Sequence, residues 1–357
     1  MRPHDIVKRT AHHDPSGSSG GASIPLTVPR VVFPSRQQVV VDTVEIPDAK
    51  PNQIRARATR TLVSAGTERN VFERAGPQPR QPGYSWVGVV DQVGADVAGY
   101  RPGALVTQQR HQGAVLITID SGVGDSEGYA GRIPASVSDE LATFAVLGDV
   151  ALHGVRRAGP SLGDAVAVFG QGVVGQLVTQ FARLAGGYPV IAVDLDDDRL
   201  AKARLSGATH TVNAARANAA EAIRALTDGE GARMVFMVTR TPRILPECLL
   251  AAAPGGTVCL TGSPPGTVEI RLQEELLRKE LRIIGTHQAR YPRTPYHMFA
   301  WTRAANRAYI LGLLERGELR LEHLISHRVS YRQAPEMYRM IEAGPAGWLA
   351  IVLDWTE

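Results

Sequence analysis

Only two cysteines occur in the 357 residues, Cys248 and Cys259. Two thiols make neither a disulfide framework nor a four-cysteine zinc cluster. Both are expected as small core residues, Cys259 inside the strand-like run Thr257-Val258-Cys259-Leu260. Lysine is almost as scarce. Of 39 basic residues only Lys8, Lys50, Lys202 and Lys279 are lysine. The arginines are scattered, with no basic block or basic helix. The net charge of +4 therefore reads as a solvated surface and not as a nucleic-acid patch, though a positive potential would help draw in a small anion. No apolar run approaches the roughly 20 residues of a membrane helix. The first 23 residues lack the apolar core of a secretory signal and end in a Ser/Gly-rich stretch, so they are expected as a flexible tail, with a cytoplasmic location.

What is present is a globular composition, 44% hydrophobic and 21% charged, with length for about two domains. Residues 24 to 149 are β-rich. Strands are expected at Gln37 to Ile46, Gln53 to Ser64 and Ser85 to Val93, separated by Pro/Gly/Asp turns. From Ala151 the pattern alternates. Six strand-like runs follow, at Val166 to Phe169, Val190 to Val193, Thr209 to Val212, Met234 to Val238, Thr257 to Thr261 and Leu281 to Gly285. Helical segments separate most of them, which predicts one doubly wound parallel sheet in an α/β chain. A long helix is expected from Pro295 to Arg316. A strand-helix-strand ending follows, at His327 to Val329, Ala334 to Glu342 and Leu349 to Leu353.

The most specific signal is Gly170-Gln171-Gly172-Val173-Val174-Gly175. It follows one buried-strand run, opens an apolar helix, and precedes a second strand ending in Asp194. In that setting the glycines have separate uses. Gly170 permits the tight turn, Gly172 lets backbone approach a pyrophosphate, and Gly175 lets helix and strand pack closely. The pyrophosphate then meets the unpaired amides of the helix N-terminus. Asp194 would accept hydrogen bonds from the ribose hydroxyls of NAD and repel the 2′-phosphate of NADP. Asp196, Asp197 and Asp198 suit the start of the next helix.

These features, with Ser64-Ala65-Gly66-Thr67-Glu68-Arg69, Gly83-Tyr84-Ser85-Trp86-Val87-Gly88 and Pro254-Gly255-Gly256-Thr257-Val258, resemble the medium-chain dehydrogenase/reductase superfamily, the fold of zinc alcohol dehydrogenases. Within it the chain looks most like the branch containing bacteriochlorophyllide dehydrogenase. The resemblance implies a GroES-like catalytic domain, residues 24–152 and 287–357, around a Rossmann domain, residues 153–286. It implies that Val174 backs the nicotinamide and that Val238, Thr239, Thr261, Gly262 and Ser263 line the cofactor at strand ends. It also implies a homodimer paired near Thr267 to Leu281, acting on a small molecule.

The chain departs from the zinc members where they hold metal. The three ligand motifs read Ala65-Gly66-Thr67-Glu68, Gly83-Tyr84-Ser85 and Val146. No catalytic zinc is expected, since such a site takes three protein ligands. A hydrogen-bond donor must then steady the reacting oxygen. Thr67, Tyr84 and His287 are the candidates, with Ser64, Ser85, His111, His153, Tyr296 and His297 nearby. The expected activity is hydride transfer between NAD(H) and an alcohol/ketone carbon of a sugar- or cyclitol-like molecule, in secondary metabolism. The alternatives are C=C reduction of an enone or quinone, a redox-neutral reaction on tightly held NAD, or a cofactor-binding protein without catalysis.

Overall fold

A computed structural model describes residues 25–74, 76, 78–98, 103–119, 130–287, 301–344 and 347–357. The expected tail, Tyr296 and His297 lie outside the described residues.

The first part of the chain runs β1 (Leu26–Val32), β2 (Val40–Ile46), β3 (Gln53–Val63), α1 (Ala65–Arg74), β4 (Trp86–Val93), β5 (Ala104–Thr107), β6 (Ala114–Thr118), β7 (Ala130–Arg132), α2 (Asp139–Ala142) and α3 (Phe144–Ala158). The second runs β8 (Val166–Phe169), α4 (Val173–Leu184), β9 (Val190–Asp194), α5 (Asp197–Leu205), β10 (His210–Asn213), α6 (Ala219–Ala225), β11 (Ala232–Met237), α7 (Leu245–Ala251), β12 (Ala252–Leu260) and β13 (Arg282–Gly285). The chain closes with α8 (Arg303–Glu315), β14 (Ile325–Ser330), α9 (Ala334–Ala343) and β15 (Ala350–Asp354).

Two large sheets result. One is parallel, in the order β10-β9-β8-β11-β12-β13, so the strand order reverses between β8 and β11. All four residues of β8 are buried, which explains its unbroken apolar run: a parallel strand is covered on both faces. The other sheet runs β14-β15-β3-β4-β5-β7, with β6 also on β3. Its β15 pairs antiparallel with β3, so the C-terminus returns to the N-terminal half. A single core joins the sheets. It holds Leu62, Val87 and Val106 from the second sheet, Phe144 to Leu147 from α3, and Val166, Val168 and Phe236 from the first.

Side-chain chemistry sets the element ends. Asp196 caps α5, its carboxylate accepting from the amides of Asp198 and Arg199, with Asp197 and Asp198 in the first turn where acids suit the helix dipole. Gly159 ends α3 in the left-handed region at φ 66°. Lys279, one of the four lysines, donates to the carbonyls of Leu249, Leu250 and Ala252 at the end of α7.

Of the helix expected from Pro295 to Arg316, residues 295–300 lie outside the described residues; the described part is α8, which begins at Arg303 where the Thr302 side chain accepts from the Ala305 amide. His153 lies two-thirds of the way along α3. The segment carrying Thr67 is α1. Glu68 and Phe72, four residues apart, turn one helical face into the core and stabilise a stretch whose Gly66 and Thr67 favour helix poorly.

Candidate active site

The glycine turn has the geometry its spacing predicts. Gly170 stands at φ 94° and its amide donates to the Val193 carbonyl at 2.8 Å, which locks the end of β8 against β9. A Cβ on Gly175 would sit 1.8 Å from the Gly170 carbonyl oxygen, so only glycine allows α4 to start there. Gly172 is the N-cap residue of α4 and has open space around it. That space, above amides with no helical partner, fits a pyrophosphate. Val173 and Val174 form the first turn and rest on the joint core.

Asp194 ends β9. Its Oδ2 accepts from the Gln171 amide at 2.6 Å, and its Oδ1 accepts from the amides of Leu195 and Asp196 at 2.8 and 3.1 Å. The carboxylate is thus pinned beside the glycine turn, with three of its roughly four acceptor sites taken and one on Oδ2 left for a ribose hydroxyl. Val238 extends β11 through its amide to the Phe169 carbonyl at 2.9 Å. Thr239 comes next, its methyl 2.9 Å from where a Cβ on Gly170 would lie. The amides of Thr261 and Gly262 both reach the Met237 carbonyl, and Gly262 passes so close to Thr239 that a Cβ would meet its oxygen at 2.6 Å. Thr261 is buried and Ser263 exposed. All these residues stand at the carboxyl ends of parallel strands, where the order reverses and ligands bind in such sheets.

A second group faces this site from the β-rich sheet. The hydroxyls of Ser64 and Tyr84 are hydrogen-bonded to one another. Thr67, exposed in the first turn of α1, also bonds the phenol. Burial raises the Tyr84 pKa, hydrogen bonds from Ser64 and Thr67 oppose the shift, and the Glu68 charge adds to it. Tyr84 packs on the same core as Val173, Val174 and Val238. Ser85 is turned away, its hydroxyl donating to the Thr143 carbonyl.

Beneath these hydroxyls lies a buried network that the sequence does not display. The Glu68 carboxylate accepts from the Ser64 amide at 2.8 Å, from His111 at 3.1 Å and from the Tyr338 phenol. The other nitrogen of His111 bonds Thr61 at 2.8 Å, and Trp355 donates to the same threonine at 3.0 Å. Burial pushes the Glu68 pKa up, but the His111 charge and the three hydrogen bonds bring it below the usual carboxylate value. His111, expected near the substrate pocket, is fully buried in this network. Its ring packs on Gly83, where a Cβ would clash at 2.7 Å. The only sequence sign was an acid, Glu68, kept beside lost metal ligands.

His287 is exposed past the end of β13. It acts electrostatically on the buried His153, whose pKa falls to about 4 through burial first, then Arg157 and His287.

The residues at the places of the zinc ligands do not fit a zinc ion. Ala65 and Val146 carry no donor atom, Val146 is wholly inside the core, and the hydroxyls of Tyr84 and Ser85 are bonded elsewhere. Among the described residues no group of three His, Cys, Asp or Glu could hold a metal. The glycine turn and Asp194, by contrast, fit a dinucleotide.

The fold is that of the medium-chain dehydrogenase/reductases, a GroES-like domain beside a Rossmann domain. Residues 173–304 match the profile of the zinc-binding dehydrogenase family. The chain is 26% identical over 342 residues to the L-threonine 3-dehydrogenase of Pyrococcus abyssi, covering 87% of this chain and 94% of that protein. A protein of Sinorhizobium meliloti 1021 assigned as a zinc-binding dehydrogenase and bound to NADP superposes with a TM-score of 0.77 at 22% identity, over 92% of this chain and 99% of that one. A short chain alcohol dehydrogenase of Escherichia coli CFT073, complexed with NADH, also superposes at 0.77, with 19% identity over 92% and 99% of the two chains. No described helix is long and apolar enough to cross a membrane.

Proposed function

We propose that this chain is a nicotinamide-dependent oxidoreductase of alcohols and ketones, using NAD in preference to NADP and needing no zinc. The observation that carries the reading is the replacement of metal ligands by a bonded hydroxyl group, Ser64–Tyr84 with Thr67, opposite an intact glycine turn. Relatives named as alcohol and L-threonine dehydrogenases support the reaction class. Matched structures carry NADP in one case and NADH in another, so the preference rests on Asp194. Its fixed carboxylate would accept from a ribose hydroxyl at its remaining acceptor site and repel a 2′-phosphate.

Bound NAD would supply a hydride acceptor for the alcohol carbon. The chain's own part is to hold the dinucleotide along Gly170 to Gly175 and to handle the hydroxyl proton. Tyr84, kept protonated by its raised pKa, donates a hydrogen bond to the substrate oxygen as charge grows there during ketone reduction. Thr67 links the phenol to solvent, and Ser64 fixes its direction. His287, exposed at the nicotinamide end, is the remaining candidate for proton exchange. The polar hydroxyl lining suits a small polyhydroxylated substrate, sugar- or cyclitol-like, of secondary metabolism. The edge strand β13 and the exposed Leu272 and Leu277 beside it suit pairing with a second copy in the cytoplasm.

The test is deuterium transfer from carbon-deuterated polyols to NAD, using protein exhaustively treated with chelator. Label appearing in NADH supports the reading. Transfer that needs added zinc would refute its metal-free part.

A further inference from the structure

Helix α1 presents a second face that none of the foregoing uses. Gly66, Arg69 and Glu73, at spacings of three and four, form a stripe beside the buried Glu68 and Phe72, about a third of a turn round the helix. Arg240 of the nucleotide domain reaches this face. Arg240 directly follows Thr239, whose methyl touches the glycine turn at Gly170. Its stem crosses to α1, with its Cδ 3.7 Å from where a Cβ on Gly66 would be. Its guanidinium ends 3.9 Å from the Glu73 carboxylate, beyond hydrogen-bond distance. Glu73 is already engaged, accepting from Arg69 at 2.6 Å through its other oxygen. All three side chains are about one-third exposed, at 34%.

Two guanidiniums thus share one carboxylate at the rim of the cofactor cleft, and Arg240 holds its share only loosely. The residue before it, Thr239, contacts Gly170, two residues before Gly172, which caps the start of α4 and has open space around it. A guanidinium presents a planar pair of donors that matches two phosphate oxygens, and at 3.9 Å the Glu73 carboxylate is too far to accept from it. We propose that Arg240 is a clamp for the pyrophosphate of the dinucleotide, exchanging the distant Glu73 carboxylate for phosphate oxygens and drawing α1 toward the nucleotide domain. This rests on the dinucleotide reading above. Glu73 then acts as a stand-in anion that keeps the guanidinium extended across the cleft while the site is empty. The cofactor supplies better acceptors and closes the gap between the two walls.

The test measures NADH binding by fluorescence, with ADP-ribose and adenosine as competitors, for the intact protein and for Arg240→Met, Arg240→Lys and Glu73→Gln. Melting curves show that each variant is folded. Losing a charge-assisted phosphate contact should weaken NADH and ADP-ribose by about tenfold to a hundredfold in Arg240→Met. Adenosine, which has no phosphate, should compete as before. Arg240→Lys should recover part of the loss, and Glu73→Gln should tighten NADH by about twofold to fivefold. Unchanged NADH affinity in a folded Arg240→Met protein would overturn the clamp, as would an equal loss for adenosine. Failure of the intact protein to bind NADH at all would overturn the dinucleotide reading itself, and the clamp with it.

Discussion

At the scale of single residues, the chemistry turns on Tyr84. Its phenol is bonded to Ser64 and Thr67 and its pKa is raised by burial, so it is suited to donating and not to accepting a proton at neutral pH. Tyr84→Phe keeps the ring and its packing and removes only the donor. Ketone reduction by that variant should lose about a hundredfold or more in kcat with little change in KM, the loss typical of one oxyanion donor. Steady-state kinetics on the reductive reaction check this. His153 gives a second residue-scale prediction. Its folded pKa of about 4 lies below the ordinary 6.5. Between those values the unfolded chain binds a proton that the folded chain refuses, so stability falls as pH drops from 6.5 toward 4. Glu68 acts lower still. Its folded pKa is depressed below 4.5, so its contribution is present above that pH and lost as pH falls through the folded value. Urea midpoints across this range should show a shallower slope between pH 6.5 and 4 for His153→Asn than for the intact protein.

At the scale of elements, the strand–glycine turn–helix unit was the most legible part of the sequence. Its residues are contiguous and its function depends on local backbone geometry. The tight turn at Gly170, the close packing at Gly175 and the strand end at Asp194 were therefore readable from spacing alone, and the backbone has these features. Gly175→Ala would drive a methyl to within 1.8 Å of a backbone oxygen. The start of α4 must shift, so both melting temperature and NADH affinity should fall, the second beyond measurement in a fluorescence titration. Helix α1 was illegible for the opposite reason. Its first residues have weak helix propensity, and what holds it is tertiary: Phe72 packs edge-on against Phe33, and Glu68 is bonded to His111 and Tyr338. Those partners come from distant parts of the chain, so no local pattern announces them. The same holds for Arg240, whose meaning depends on a helix some 170 residues earlier (Glu73 to Arg240). The start of α8 was read too early because its apolar pattern runs across Trp301 and Thr302, whereas the Thr302 side chain caps the helix at Arg303.

At the scale of the whole molecule, the two sheets share a core that runs through α3, from Leu62 and Val87 to Val166 and Phe236. Neither sheet keeps its apolar face covered if the other unfolds. All four tryptophans, Trp86, Trp301, Trp348 and Trp355, lie outside the parallel sheet and its helices, whereas circular dichroism reports on both halves. The two signals should therefore change together in urea, as one cooperative transition. Separate midpoints would mean the shared core does not couple the halves. The overall fold class was legible in the alternation of strand and helix patterns after Ala151. The extent of the joint core was not, because burial between sheets depends on how they meet.

The account's central claim is a dinucleotide site paired with a hydroxyl group in place of a metal. Native mass spectrometry of the purified protein after addition of NAD, with zinc content read from the same sample, tests it most directly. One NAD per chain and no stoichiometric zinc is the predicted result. One zinc per chain, or no dinucleotide retained, would contradict it.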